Sequence, residues 1–147
     1  MYPIDNYNSI YQSKQSAKSK GSGVAMYIHK KYNFTKITKV SQCTVNLEAL
    51  FVTITNTEAP LTVGVLYRPP NGDIKLFNDE FESILNKLPN KNVYITGDFN
   101  INLHKIDNNA AKFEENFISF GFSPLISLAT HEQPHCEKTC IDNIFCI

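Results

Sequence analysis

No stretch of this chain approaches the roughly 20 consecutive apolar residues that a membrane-spanning helix needs. Met1 to Lys20 is polar and tyrosine-rich. It lacks the apolar centre of a signal peptide and the Arg/Ser bias of a transit peptide. There is no internal repeat and no low-complexity tract. Net charge is also lacking: 14 basic residues balance 14 acidic ones, so the whole-chain balance points to no partner. These absences lead us to expect an intracellular protein of nucleus or cytoplasm, neither secreted nor held in a membrane. In such a compartment Cys43, Cys136, Cys140 and Cys146 read as reduced thiols.

What is present suits an ordinary globular domain. The 147 residues are enough for one core, and 42% apolar with 19% charged residues is unexceptional. Charge is unevenly placed. Up to Val40 there are Lys14, Lys18, Lys20, Lys30, Lys31, Lys36 and Lys39 against Asp5 alone, a net +6 that leaves −6 for the remainder. A basic edge beside an acidic remainder would suit a protein holding a polyanion with one part and a cation with another. A solvated lysine-rich loop is the plainer reading.

Periodicity divides the chain. Residues 1–20 read as a polar arm or loop. Gly21-Ser22-Gly23 breaks it, and strands are expected at Val24 to Ile28, Leu47 to Ile54 and Leu61 to Tyr67. The third has an almost unbroken apolar run, as in a strand buried on both faces. Arg68-Pro69-Pro70-Asn71-Gly72 must be a loop, because two prolines cannot continue a sheet ladder. Phe77, Phe81, Ile84, Leu85 and Leu88 then share one helical face, with Asp73 placed to cap it and Pro89-Asn90 to end it. Asn92 to Thr96 reads as a strand running into Gly97-Asp98-Phe99-Asn100. A second helix is expected from about Asn109 to Phe120, stopped by Gly121. Ser123 to Lys138 reads as mostly loop and Cys140 to Ile147 as a last strand. The class is α/β or α+β with a mostly buried sheet.

Three segments carry candidate chemistry. In extended chain, Asp98 and Asn100 would project the same way from a strand end, where α/β folds place functional groups. The carboxylate could activate water or help hold Mg²⁺, and the amide could donate to a phosphate oxygen. Alternatively both residues simply close an Asx turn. Tyr67, fixed before a rigid diproline, could donate its hydroxyl to a phosphate, as could the guanidinium of Arg68. The commoner fate of such a tyrosine is a core aromatic with its OH in water. Asp142 lies among Ile141, Ile144 and Phe145, where a carboxylate needs a partner unless the strand is an edge facing water.

A rival cluster is His131, His135, Cys136 and Cys140. The ligand types suit zinc but the spacings do not, and a polar surface loop fits better.

Together these segments resemble the endonuclease/exonuclease/phosphatase superfamily, most closely its non-LTR retrotransposon branch, the endonuclease associated with reverse transcriptase. The resemblance runs through Gly21-Ser22-Gly23-Val24, Glu48, Tyr67-Arg68-Pro69-Pro70, Gly97-Asp98-Phe99-Asn100, Gly121-Phe122, Thr130 and Thr139 with Ile141-Asp142-Asn143. It implies a DNase I-like four-layer α/β sandwich, incomplete here, with residues 21–147 as a partial domain. It implies a hydrolase that cuts a DNA phosphodiester with Mg²⁺ or Mn²⁺. On that likeness Asp98 activates or orients water and is a possible metal ligand, Asn100 positions the water and phosphate, and Tyr67 binds a phosphate oxygen. Asp142 orients a catalytic histidine, and Arg68, Thr130 and Asn143 are positions of substrate contact.

The chain departs from the pattern. The family's metal-binding glutamate, upstream of the glycine-rich segment, and its serine-aspartate-histidine segment, downstream of Ile147, have no counterpart here. His131 follows Thr130 where arginine is usual, and Asn143 replaces a histidine or tyrosine. Glu48 reads as a surface or paired residue. We therefore expect truncation at both ends, weak or no cutting by this chain, and association through exposed sheet edges. Two further possibilities are a catalytically dead remnant that binds nucleic acid and a sister phosphatase or phospholipid hydrolase.

Overall fold

A computed structural model of the protein describes residues 2–13, 23–105, 107–132, 134 and 137–147. Lys14, Lys18, Lys20, Gly21, Ser22, His135 and Cys136 lie outside the described residues.

The first element departs from the expected polar arm. Strand β1 (Tyr7–Gln12) pairs antiparallel with β2 (Val24–His29), Tyr7 opposite His29 and Gln12 opposite Val24. One face of this ribbon carries Tyr7, Ser9, Tyr11 and Tyr27; the other carries Ile10, Val24 and Ile28, of which Val24 and Ile28 are buried. A one-sided strand this polar has too few apolar residues to announce itself. Its pairing with a segment 12 or more residues away decides the outcome.

The main sheet has seven strands: β3 (Phe34–Lys36), β4 (Gln42–Cys43), β5 (Glu48–Ile54), β6 (Leu61–Tyr67), β7 (Val93–Asp98), β8 (Ser123–Pro124) and β9 (Asp142–Cys146). Their order is β3-β5-β6-β7-β9-β8, with β4 also on β5. Only the β6–β7 pair is parallel, and helix α1 (Ile74–Leu85) makes that crossover. Helix α2 (Asn108–Ser119) joins β7 to β8. The architecture is mixed α+β, as the sequence led us to expect. β3, β4 and β8, of two or three residues each, were not foreseen as strands.

Both helices lie on one face of this sheet. Asp73 caps α1 as expected, accepting from the Leu76 amide at 2.9 Å. Asp107 caps α2, accepting from Asn109 and Ala110. Their apolar stripes bury Phe77, Phe81, Phe113 and Phe117 against Phe51, Phe99 and Phe145 of the strands and the loop after β7. Phe117 stacks parallel on Phe145 with ring centroids 3.5 Å apart. The opposite face of β5 and β6 carries the β1–β2 ribbon, which helps bury Leu50 and Val52. Three layers result: helices, main sheet and two-stranded ribbon.

Candidate active site

Strand alternation sorts the main sheet into two faces. Leu66, Gly97 and Asn143 form a rung facing the helices, with Leu66 and Asn143 buried. The next rung faces the other way. Glu48 pairs with Tyr67, Tyr67 with Asp98, and Asp98 with Asp142. At the usual strand spacing, Tyr67, Asp98 and Asp142 fall within about 10 Å of one another. Three residues from distant parts of the chain thus meet on one face, at the C-terminal ends of the parallel pair.

Gly97 makes this rung possible. A Cβ there would lie 1.9 Å from the carbonyl oxygen of Leu66, so β7 sits too close to β6 for any side chain. The glycine before Asp98 is demanded by this close approach, since its dihedrals are not of the glycine-only kind.

β7 ends at Asp98, and Asn100 takes a left-handed conformation, φ 49°, which asparagine tolerates better than most residues. The backbone amide of Asn100 donates to Asp98 Oδ1 at 3.0 Å, and its Nδ2 donates to the Arg68 carbonyl at 2.8 Å. The Asx-turn reading therefore describes the local geometry. Asn100 is not delivered by strand alternation, as two-residue spacing had suggested; it is turned by the bend at the end of β7.

Arg68 requires a correction. It is buried, 7% exposed. Nε donates to the Phe99 carbonyl, Nη2 to that of Asn100 and Nη1 to that of Gly72, at 2.8–2.9 Å. Its own amide donates to the Asp98 carbonyl at 3.0 Å. All three nitrogens of the guanidinium are thus engaged with backbone, clamping the Arg-Pro-Pro loop to the Asp98–Asn100 bend. This is a structural use, not the phosphate contact foreseen. Burial pushes the Arg68 pKa down, and the charges of Asp98 and Tyr67 offset part of that.

Asn143 is corrected likewise. It is 1% exposed, on the helix face, directing away from the rung. Its Oδ1 accepts from the amides of Ile126 and Ile144, and its Nδ2 donates to the Ile126 carbonyl at 2.8 Å. It fastens the long loop before β9, a structural use in place of the substrate contact foreseen.

Thr130 is exposed, and its Oγ1 accepts from the amides of both Ile141 and Asp142 at 3.1 Å. Glu48 is 2% exposed and accepts from the Gly23 amide at 2.7 Å. It is a paired residue that fixes the start of β2, as expected. Lys30 and Lys31 follow β2 at its far end, about 20 Å from Glu48 at 3.3 Å per residue. Lys30 and Lys31 therefore do not adjoin the rung. Lys36 is tied to Gln12 Oε1 at 2.6 Å.

The pKa of Asp98 is raised, first by burial and then by the Asp142 charge. The Asn100 amide, Arg68 and His131 act in the opposite direction. A raised carboxylate is a stronger base than an ordinary one, which favours proton abstraction near neutral pH. The sequence had marked His131 only as a departure and a poor zinc ligand; its backbone pairs with Thr139, three residues before Asp142.

The described residues do not by themselves complete a cation site. Among the described residues no group of three or more His, Cys, Asp or Glu side chains is placed to hold a metal. Asp98 and Asp142 offer two neighbouring carboxylates, short of a full donor set. His135 and Cys136, members of the rival zinc cluster, lie outside the described residues. No described helix is long and apolar enough to cross a membrane.

No family model matches the sequence, and no curated relative matches it. Solved structures do. The endonuclease domain of TRAS1, a telomere-specific non-LTR retrotransposon, superposes with a TM-score of 0.77 at 14% identity, covering 97% of this chain and 68% of that one. TDP2 of D. rerio, complexed with a single-strand DNA product, gives 0.62 at 13% identity over 95% of this chain and 61% of that one. A mannosyl-6-phosphatase of Bacteroides thetaiotaomicron gives 0.55 at 14% identity, over 97% and 63%. The chain thus spans about two thirds or less of the length of the structures it matches. At this identity the likeness is one of fold, and the fold is that of the endonuclease/exonuclease/phosphatase superfamily.

Proposed function

We propose that this protein acts on a phosphodiester of DNA, in the manner of a retrotransposon-type endonuclease. The observation that carries the reading is the rung on which Tyr67, Asp98 and Asp142 are register partners. Phosphodiester hydrolysis needs a base for water and donors for the phosphate oxygens. Asp98, its pKa raised by burial, takes the proton from water as oxygen attacks phosphorus and the sugar oxygen departs. Tyr67 donates to a non-bridging oxygen. Asn100 and Arg68 hold the bend that fixes Asp98. Asp142, on the adjacent strand, would orient a catalytic histidine, and with the described residues alone the departing sugar oxygen takes its proton from solvent water.

A divalent cation, Mg²⁺ or Mn²⁺, belongs to this reading. The described side chains do not supply its full ligand set, and no step is assigned to it. That shortfall favours a second reading, in which the fold binds nucleic acid without cutting. Nicking of supercoiled plasmid with Mg²⁺ separates the two. The expected result is weak nicking that Asp98→Ala abolishes. Oligonucleotide binding without nicking would establish the silent form. Neither binding nor nicking, with turnover of a sugar phosphate or phospholipid instead, would move the protein to a sister hydrolase.

A further inference from the structure

We propose that the outer face of the main sheet takes an extended polypeptide strand from a partner chain, added to the free edge of β2. Among the described residues β2 pairs with β1 alone, so the N–H and C=O groups along its other edge face no strand. That edge points over open sheet. β1 packs on β5, whereas β2 packs on both β5 and β6. The step from β1 to β2 therefore runs from β5 towards β6, and the next position in that layer lies over β6 and β7. A groove of about 540 Å³ occupies it. Residues 25–29 of β2 form one wall, and Val63, Val65 and Thr96 belong to the floor.

The floor has the composition of a covered face. β6 reads in sequence as a strand buried on both sides, yet Val63 and Val65 are only half-buried and Thr96 beside them is exposed. An occupant that satisfies both surfaces needs backbone donors and acceptors in a row and an apolar side chain at every second position. An extended peptide offers both. β2 itself meets the sheet in this way, burying Val24 and Ile28, and an added strand continues that interface. A second copy of the chain fits less well. The open strip is β6, β7 and β9 wide and about five residues long, about 250 Å² in projection. Each partner in a stable dimer buries roughly 800 Å². Copies meeting here therefore touch weakly and only at high concentration.

The test uses the full chain and two dye-labelled octapeptides of one composition. One carries Thr-Val repeats between terminal lysines; the other carries the same residues as a Thr block followed by a Val block. Anisotropy is expected to show the alternating peptide binding about tenfold tighter. Thr96→Lys, at an exposed part of the floor, should weaken that peptide about tenfold by placing an ammonium where an apolar side chain docks. Amide exchange should slow at alternate residues within 25–29, which a peptide adhering elsewhere would not cause. Equal or absent binding of the two peptides, or binding that Thr96→Lys leaves unchanged, would overturn the proposal. So would oligomers that persist in sedimentation when the alternating peptide is saturating, since a second copy would then hold the face. Plasmid nicking is read separately, so failure here leaves the nuclease reading intact.

Discussion

Asp98 and Asp142 sit directly opposite each other on β7 and β9, and the charge of Asp142 adds to burial in raising the Asp98 pKa. Two acids at paired positions of adjacent strands are destabilising neighbours in a sheet. Acids placed where they cost stability point to a use other than folding.

Asp98→Asn should therefore separate stability from chemistry. With its folded pKa above the unfolded value, Asp98 favours the fold most when protonated. That contribution is complete below the ordinary aspartate range, near about 3.9, and is lost as pH rises through the raised value. At neutral pH the ionised group is a net cost. Asparagine keeps an oxygen for the Asn100 amide, so the variant should melt at or above the native temperature at pH 7. The gain should stay under about 1 kcal/mol, because the group is partly solvated, and shrink towards pH 4. Thermal melts across pH check this; a variant less stable at neutral pH than at acid pH, relative to native, contradicts it.

Gly97→Ala should damage the site through the sheet. The added carbon would meet the Leu66 carbonyl oxygen at 1.9 Å, and strand separation is the only relief. A loss of about 2–3 kcal/mol in a urea melt is expected. Oligonucleotide binding should weaken as well, since Tyr67 and Asp98 part company.

Arg68→Lys keeps a charge but loses the fork that bonds the Phe99, Asn100 and Gly72 carbonyls. About 2 kcal/mol of stability should go, the scale of a charged hydrogen bond left unmade. Were Arg68 a substrate contact instead, lysine would change binding and leave the melt unaltered.

The outer face of the main sheet beyond the ribbon should drive association. Tyr94 is 43% exposed there, and Val63, Val65 and Ile144 are only half-buried. Exposed apolar strand faces of this kind promote self-contact. Sedimentation is expected to show concentration-dependent oligomers, and urea melts a broad transition. A sharp, cooperative, monomeric transition would count against this.

Much of this was legible in the sequence where apolar period was strong. β6 matches the expected Leu61 to Tyr67, and α1 and α2 fall within a few residues of the Phe77 and Phe113 stripes. β1 was not legible, because Tyr7, Ser9 and Tyr11 face away from the sheet and what orders it is long-range, pairing with β2 and packing on β5. Tyr67, Asp98 and Asp142 could be named from their places at strand ends, but the rung that joins them is a property of register between strands. Arg68 and Asn143 were misread for one reason. A polar residue beside a functional one looks the same in sequence whether it turns outward to a ligand or inward to backbone carbonyls. His131 carried no periodic signal at all; backbone pairing across its loop places it.

The most direct measurement is an amide NMR titration of the chain with a short single-stranded oligonucleotide. Resonances of Tyr67, Asp98, Asn100 and Asp142 should shift together, with those of Lys30 and Lys31 unmoved. Shifts confined to the Lys30 end of the ribbon, or scattered over unrelated faces, would contradict a phosphate site on the Tyr67–Asp98–Asp142 rung.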